Sequence, residues 1–171
     1  MNENVFDEEL ADKISKEEFS NALNPLKSLK TSPPAPRGKM LEKAVRILFA
    51  RYESRGIHCQ QNHPEQLYDG TLTKKHGFDF QILYNGKFYA FDAKECNLNA
   101  WPLDKAKPHQ LKALLDVEAN GGEGFFLVYF TKLNQLVKFN AKKVQKAIIN
   151  KEYILPPSAG EKTTINILGV K

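Results

Sequence analysis

Three side chains have types and spacing that suit chemistry: Asp79, Asp92 and Lys94. They fall in two stretches, residues 77–84 and 87–94, where apolar and polar residues alternate as strands require. Between them stands Asn85-Gly86, the strongest short signal for a two-residue hairpin loop. That loop pairs Tyr84 with Lys87, Ile82 with Tyr89 and Phe80 with Phe91, which builds an apolar face. On the opposite face Asp79 lies across from Asp92, with Lys94 two residues further along.

Directly opposed carboxylates have Cβ atoms ~5 Å apart. At an effective dielectric of 20 their repulsion is about 3 kcal/mol. Three arrangements relieve it: a shared proton, a cation between the oxygens, or Lys94 neutralising the pair on a solvated face. Leu83, Phe88 and Ala90 occupy the same face, which argues that it is covered. Oxygen-only ligands favour a hard divalent ion such as Mg²⁺, for which Mn²⁺ can substitute. A lysine beside such an ion can hold a water or stabilise charge on a phosphate.

The elements that must position these groups are legible around the hairpin. Leu41, Ala44, Val45, Leu48 and Tyr52 recur at helical spacing, which predicts a helix over 39–54 stopped by Gly56. A short strand is expected at 57–60, and a polar, turn-rich excursion over 62–75. Residues 109–119 read as a helix closed by Asn120-Gly121-Gly122. Residues 125–130 are almost wholly apolar, as in a strand buried on both faces. A strand at 136–139, a helix at 141–149 and an edge strand at 164–170 complete the order. Helices interleaved with strands in this way make an α/β protein, a mixed β-sheet flanked by helices.

Composition sets the frame. The chain has 171 residues, 26% charged and 42% hydrophobic, enough for one domain with a core. No run of 18 apolar residues suggests a membrane span. Two cysteines cannot make a disulfide framework or a zinc finger, and a cytoplasmic setting is expected. The net charge of +5 hides an asymmetry: residues 1–20 carry −5 and the remainder +10. A basic body suits a polyanion such as nucleic acid. Residues 1–22 could form an amphipathic helix through Phe6, Leu10 and Ile14, and 24–38, with four prolines, reads as a linker. The expected division is therefore an acidic leader and proline-rich linker over 1–36 and a folded domain over 37–171.

Asp79 followed by Asp92-Ala93-Lys94 on a hairpin resembles the PD-(D/E)xK nuclease core. The resemblance extends along residues 37–140. Arg37-Gly38, Leu41-Glu42, Gly56-Ile57, Gly77-Phe78-Asp79-Phe80, Trp101-Pro102-Leu103, His109-Gln110-Leu111 and the strand from Gly124 follow in the order found in RecU-type Holliday junction resolvases. The resemblance implies a restriction-endonuclease-like αβββαβ core and a homodimeric, Mg²⁺-dependent endonuclease acting on four-way DNA in recombination and repair. It implies metal ligation by Asp79 and Asp92, completed by Glu42, with Lys94 activating water and Gln110 orienting water or phosphate. Arg37, Lys39, His109, Lys105 and Lys107 are expected to contact DNA, with Lys74 and Lys75 at the tip of the excursion. A recombinase or branch-migration helicase is the protein partner it suggests, in a bacterial or bacteriophage setting. Other PD-(D/E)xK nucleases and a binding-only junction protein are the rival readings.

The chain departs from the family pattern at Asp92, where glutamate is usual, and in its shortened excursion, where the family carries a stalk. The remaining polar residues read as structural. His58, His63 and His76 lack metal-ligand spacing and are expected at the surface. Cys96 is expected to be a structural thiol, Trp101 a core residue, and Glu95, facing away from Lys94, a salt-bridging group.

Overall fold

The computed structural model describes residues 39–62 and 77–170. The expected leader helix, the linker, and residues 63–75 of the excursion lie outside the described residues. Arg37, Lys74, Lys75, His63 and His76 lie outside them too, as does the side chain of Lys39.

A six-stranded sheet forms the centre, with the first, second, third, fifth, sixth and eighth strands of the described residues lying side by side in that order. Helix α1 (Lys39–Ser54) leads into β1 (His58–Gln61), β2 (Phe80–Tyr84) and β3 (Lys87–Cys96). A two-residue strand β4 (Trp101–Pro102) and a 3-10 turn precede helix α2 (Pro108–Ala119). Then come β5 (Glu123–Phe130), β6 (Gln135–Asn140), helix α3 (Ala141–Ile149), β7 (Ile154–Leu155) and β8 (Glu161–Thr163). Only β3 and β5 pair in parallel; all other neighbours in the sheet are antiparallel. Two parallel strands need a crossover, and α2 provides it.

The sheet is covered on both faces. Leu41, Ala44, Val45, Leu48, Phe49 and Tyr52 of α1 pack on Phe80, Ile82, Phe91, Phe125 and Leu127. Phe80, Phe91 and Phe125 stack in a row across three strands, with centroids 5.2 and 5.0 Å apart, and Phe49 meets Phe80 edge-on at 5.5 Å. On the other face Leu114 of α2 and Val144 of α3 meet Ala90, Phe126, Val128 and Phe139. Strand β5 therefore sends alternate side chains into both cores, as its continuous apolar run requires. It approaches α2 so closely that a Cβ at Gly124 would lie 2.2 Å from the Leu114 carbonyl oxygen.

The helices expected at 39–54 and 141–149 have those bounds, and the one expected at 109–119 begins one residue early, at Pro108. Two expectations need correction. The first hairpin strand begins at Phe80, so residues 77–79 stand outside the ladder. The C-terminal edge strand is residues 161–163, paired with β6, not 164–170. Beyond Thr163 the backbone groups are engaged locally: Ile167 N donates to Ile165 O, and Gly169 N to Asn166 O. The tail closes the first core instead, with Ile165 buried and Tyr52 Oη donating to Asn166 Oδ1 at 2.7 Å. The small sheet of β4 and β7 gave no periodic signal, because two-residue strands are shorter than one alternation. Trp101 of β4 is a core residue, packed on Phe126 and Phe139.

Candidate active site

The hairpin has the register that the loop dictated: Phe80 with Phe91, Ile82 with Tyr89, Tyr84 with Lys87. Asn85 and Gly86 both take positive φ, 49° and 74°, the requirement of a type I′ turn whose twist matches the strands. Phe91 enters the α1 core, so Asp92 and Lys94 project from the α2 face. Asp79 precedes the first paired residue of β2, and its carbonyl accepts from Asn62 N at 2.8 Å. Its carboxyl lies close enough to the Asp92 carboxyl to raise it. The opposed pair is thus present, although only one member lies inside the ladder.

Asp92 is the only buried charged side chain among the described residues, with no exposed surface. Three groups surround it. Gln110 Nε2 donates to Oδ2, Lys94 Nζ forms an ion pair with Oδ1, and Asp79 lies alongside. Burial pushes the Asp92 carboxyl up to about 7; Lys94 draws it down, and Asp79 raises it further. Near neutrality the Asp92 carboxyl is protonated for part of the time.

Gln110 joins the hairpin to α2. It sits in the first turn of the helix, which Pro108 starts at a position where no N–H is needed. Its Oε1 accepts from Lys94 Nζ at 3.2 Å and from Lys107 N at 3.4 Å. One amide therefore orients the carboxylate, the lysine and the helix start together. Gly77 packs against the same helix, where a Cβ would lie 2.1 Å from Ala113 Cβ, so the backbone leading into Asp79 runs close to α2.

The donor set suits a hard cation. Asp79 and Asp92 offer carboxylate oxygens, and Asp92 Oδ1 has the Lys94 charge but no hydrogen-bond donor in good geometry. A divalent ion against these oxygens would offset the burial, and the Asp79 charge, that raise Asp92.

The other expected site residues are placed as follows. Glu42 lies in the first turn of α1 and forms an ion pair with Arg46 at 3.6 Å. Among the described residues no three His, Cys, Asp or Glu side chains are grouped tightly enough to hold a metal, so Glu42 does not join Asp79 and Asp92 in one cluster. Lys105, Lys107 and His109 are exposed just before and within the first turn of α2, with Lys105 3.4 Å from Asp104. Glu95, on the α1 face of β3, accepts from Met40 N at 3.0 Å and Leu41 N at 2.8 Å, fastening the start of α1 to the strand that carries Asp92. Alternation gave its direction, but not this capping role. Cys96 is buried and donates to the Ala100 carbonyl at 3.4 Å, and His58 is exposed, as expected of both.

The family model Recombination protein U (RecU) matches residues 36–156, more than two thirds of the chain. The chain belongs to the RecU family. Its relatives include proteins named Holliday junction resolvase RecU. The one from Pediococcus pentosaceus is 29% identical over 122 residues, covering 62% of this chain and 61% of that protein. The one from Ureaplasma parvum serovar 3 is 29% identical over 119 residues, covering 60% of this chain and 70% of that protein. The chain thus spans less than two thirds of the first relative's length. Among solved structures, Archaeoglobus fulgidus Hjc, a Holliday junction resolvase, superposes with a TM-score of 0.51 at 12% identity, covering 78% of this chain and all of that one. That likeness supports the restriction-endonuclease-like sheet and helix arrangement. The hairpin, α2 and β5 all fall within the RecU match.

Proposed function

We propose that this RecU chain is a divalent-metal-dependent endodeoxyribonuclease that cuts four-way DNA junctions in recombination and repair. The observation that carries the reading is the buried Asp92 carboxylate, shared by Asp79, Lys94 and Gln110 at the contact of the hairpin with α2. The names of its RecU relatives supply the substrate class.

In this reading Asp79 and Asp92 would hold the ion, Mg²⁺ by preference, while Glu42, the third ligand that the resemblance implies, stands apart from that pair. The bound ion supplies Lewis-acid stabilisation of the phosphate and a lowered pKa for its water. Lys94 holds the attacking water and balances charge that develops on the phosphate. Gln110 keeps both Asp92 and Lys94 in place. Hydrolysis by water leaves a 5′-phosphate and a 3′-hydroxyl. Lys105, Lys107 and His109, exposed beside the site, meet the phosphate backbone, and Arg37, Lys39, Lys74 and Lys75 add further contacts. A homodimer would present two such sites to opposed strands. Residues 37–171 form the catalytic domain in this scheme, working in a bacterial cytoplasm; among the described residues no helix is long and apolar enough to cross a membrane.

The test is cleavage of a labelled four-way junction with Mg²⁺, beside linear duplex and flap DNA. Wild type should cut the junction preferentially, while Asp79→Asn and Lys94→Ala should bind it without cutting. Full cleavage by either variant overturns the site assignment. Equal cleavage of linear duplex overturns the junction assignment and favours another nuclease on the same core.

A further inference from the structure

Between Gly124 and Lys151 the chain has six lysines and neither aspartate nor glutamate. Three of those lysines, Lys142, Lys143 and Lys146, are exposed on α3, while Ala141, Val144 and Ala147 of the same helix are buried in the core. At 100° per residue, Lys142, Lys146 and Lys143 lie within about a 100° arc of the outward face.

The placement of α3 gives that face a meaning. Its first turn is tied to the far end of α2, where Asn140 Nδ2 donates to Glu118 Oε1. Asn140 Oδ1 caps the helix by accepting from Lys142 N at 3.0 Å. After its last turn the chain enters β7, which pairs with β4, and Tyr153 O accepts from Leu103 N at 2.9 Å. Leu103 lies just before Lys105, Lys107 and the first turn of α2, where Gln110 holds Asp92. The two helices thus run antiparallel, and α3 ends beside the segment that feeds the candidate active site. Lys151, in the turn after α3, and Lys105 and Lys107, before α2, are exposed too, with Asp104 beside Lys105 and Glu152 beside Lys151.

We propose that the outward face of α3 is a second phosphate-binding surface, gripping the backbone of a duplex arm beyond the strand being cut. This rests on the nuclease reading and adds a partner surface to it. Lys142 and Lys146 are one turn apart, about 6 Å along the helix, close to two base-pair rises of a duplex. The acid that Lys142 meets is Glu118, on α2, whose Oε1 accepts from Asn140 Nδ2. A lysine face that carries no acid of its own supplies sequence-independent contact, which suits an enzyme that meets arms of any sequence. The rival explanation is an ordinary solvated helix face.

The experiment is DNA affinity of the full chain against salt concentration, without divalent metal, on a four-way junction and a linear duplex. Each phosphate contact contributes about 0.9 to the slope of log affinity against log salt. Lys142→Gln/Lys143→Gln/Lys146→Gln should lower that slope by close to three on both probes. Its affinity loss between 50 and 200 mM salt should be about forty-fold smaller than that of wild type. The triple arginine variant should keep the wild-type slope, and Lys162→Gln, on the edge strand β8, should leave it unchanged. Thermal melting of the variants checks that the fold is retained. A wild-type slope in the triple glutamine variant overturns the proposal. So does a per-lysine fall equal to that of Lys162→Gln, which would mean general charge. Loss of junction preference in wild type, with the α3 effect intact on duplex, sinks the resolvase reading alone.

Discussion

Replacing Asp92 by asparagine tests the electrostatic account of the site without relying on catalysis. Asp92 is fully buried and its carboxyl is pushed up to about 7, chiefly by burial, from an ordinary value of 3.8. A raised carboxylate means that the folded state binds more protons than the unfolded chain between these two values. Stability is therefore greatest below the unfolded value and falls as pH rises through the folded one. From pH 5 to pH 8 this one group costs the metal-free protein about 2–3 kcal/mol. The amide introduced by Asp92→Asn cannot titrate, yet its carbonyl can still accept from Gln110 Nε2. Urea unfolding in EDTA at pH 5, 6, 7 and 8 should show wild type losing ~2–3 kcal/mol more than Asp92→Asn across that range. Background titrations are common to both proteins and cancel in the difference. Mg²⁺ at pH 8 should restore stability to wild type and do little for the variant. Parallel pH profiles for the two proteins would refute the claim that a buried, repelled carboxylate lies at the centre of the site.

Three further outcomes are expected. Gln110→Ala removes the amide that holds Asp92 and Lys94, and should lower junction cleavage about 10- to 100-fold while DNA affinity, measured by filter binding, is retained. Gly124→Ala puts a Cβ 2.2 Å from the Leu114 backbone, separating β5 from α2; denaturant titration should show a loss of about 1–3 kcal/mol, and wild-type stability would disprove the close approach. Glu95→Ala leaves two amides at the start of α1 without their acceptor and should cost about 1 kcal/mol by the same titration, with Glu95→Gln closer to wild type.

The hairpin was legible in the residues alone, because Asn85-Gly86 admits one loop geometry and a period of two then settles which side chains share a face. So were the spans of α1 and α3, whose apolar residues recur at helical spacing, and the double burial of β5, whose apolar run leaves no polar face. Asp79, Asp92 and Lys94 could be grouped from that local register. How they are used came from the packing of distant segments. The depth of Asp92 depends on α2 crossing over the sheet, and the double contact of Gln110 joins residues 16 and 18 positions apart through that packing. The separation of Glu42 from the pair was likewise hidden, since spacing along α1 does not say which sheet residues its first turn will meet. Strand β7 and the tail after Thr163 depended on partners far away in the chain, Trp101–Pro102 and Tyr52, and such contacts leave no periodic trace. Local periodicity is written in neighbouring residues, whereas burial, and the pKa that follows from it, belongs to whatever the whole chain brings across the sheet.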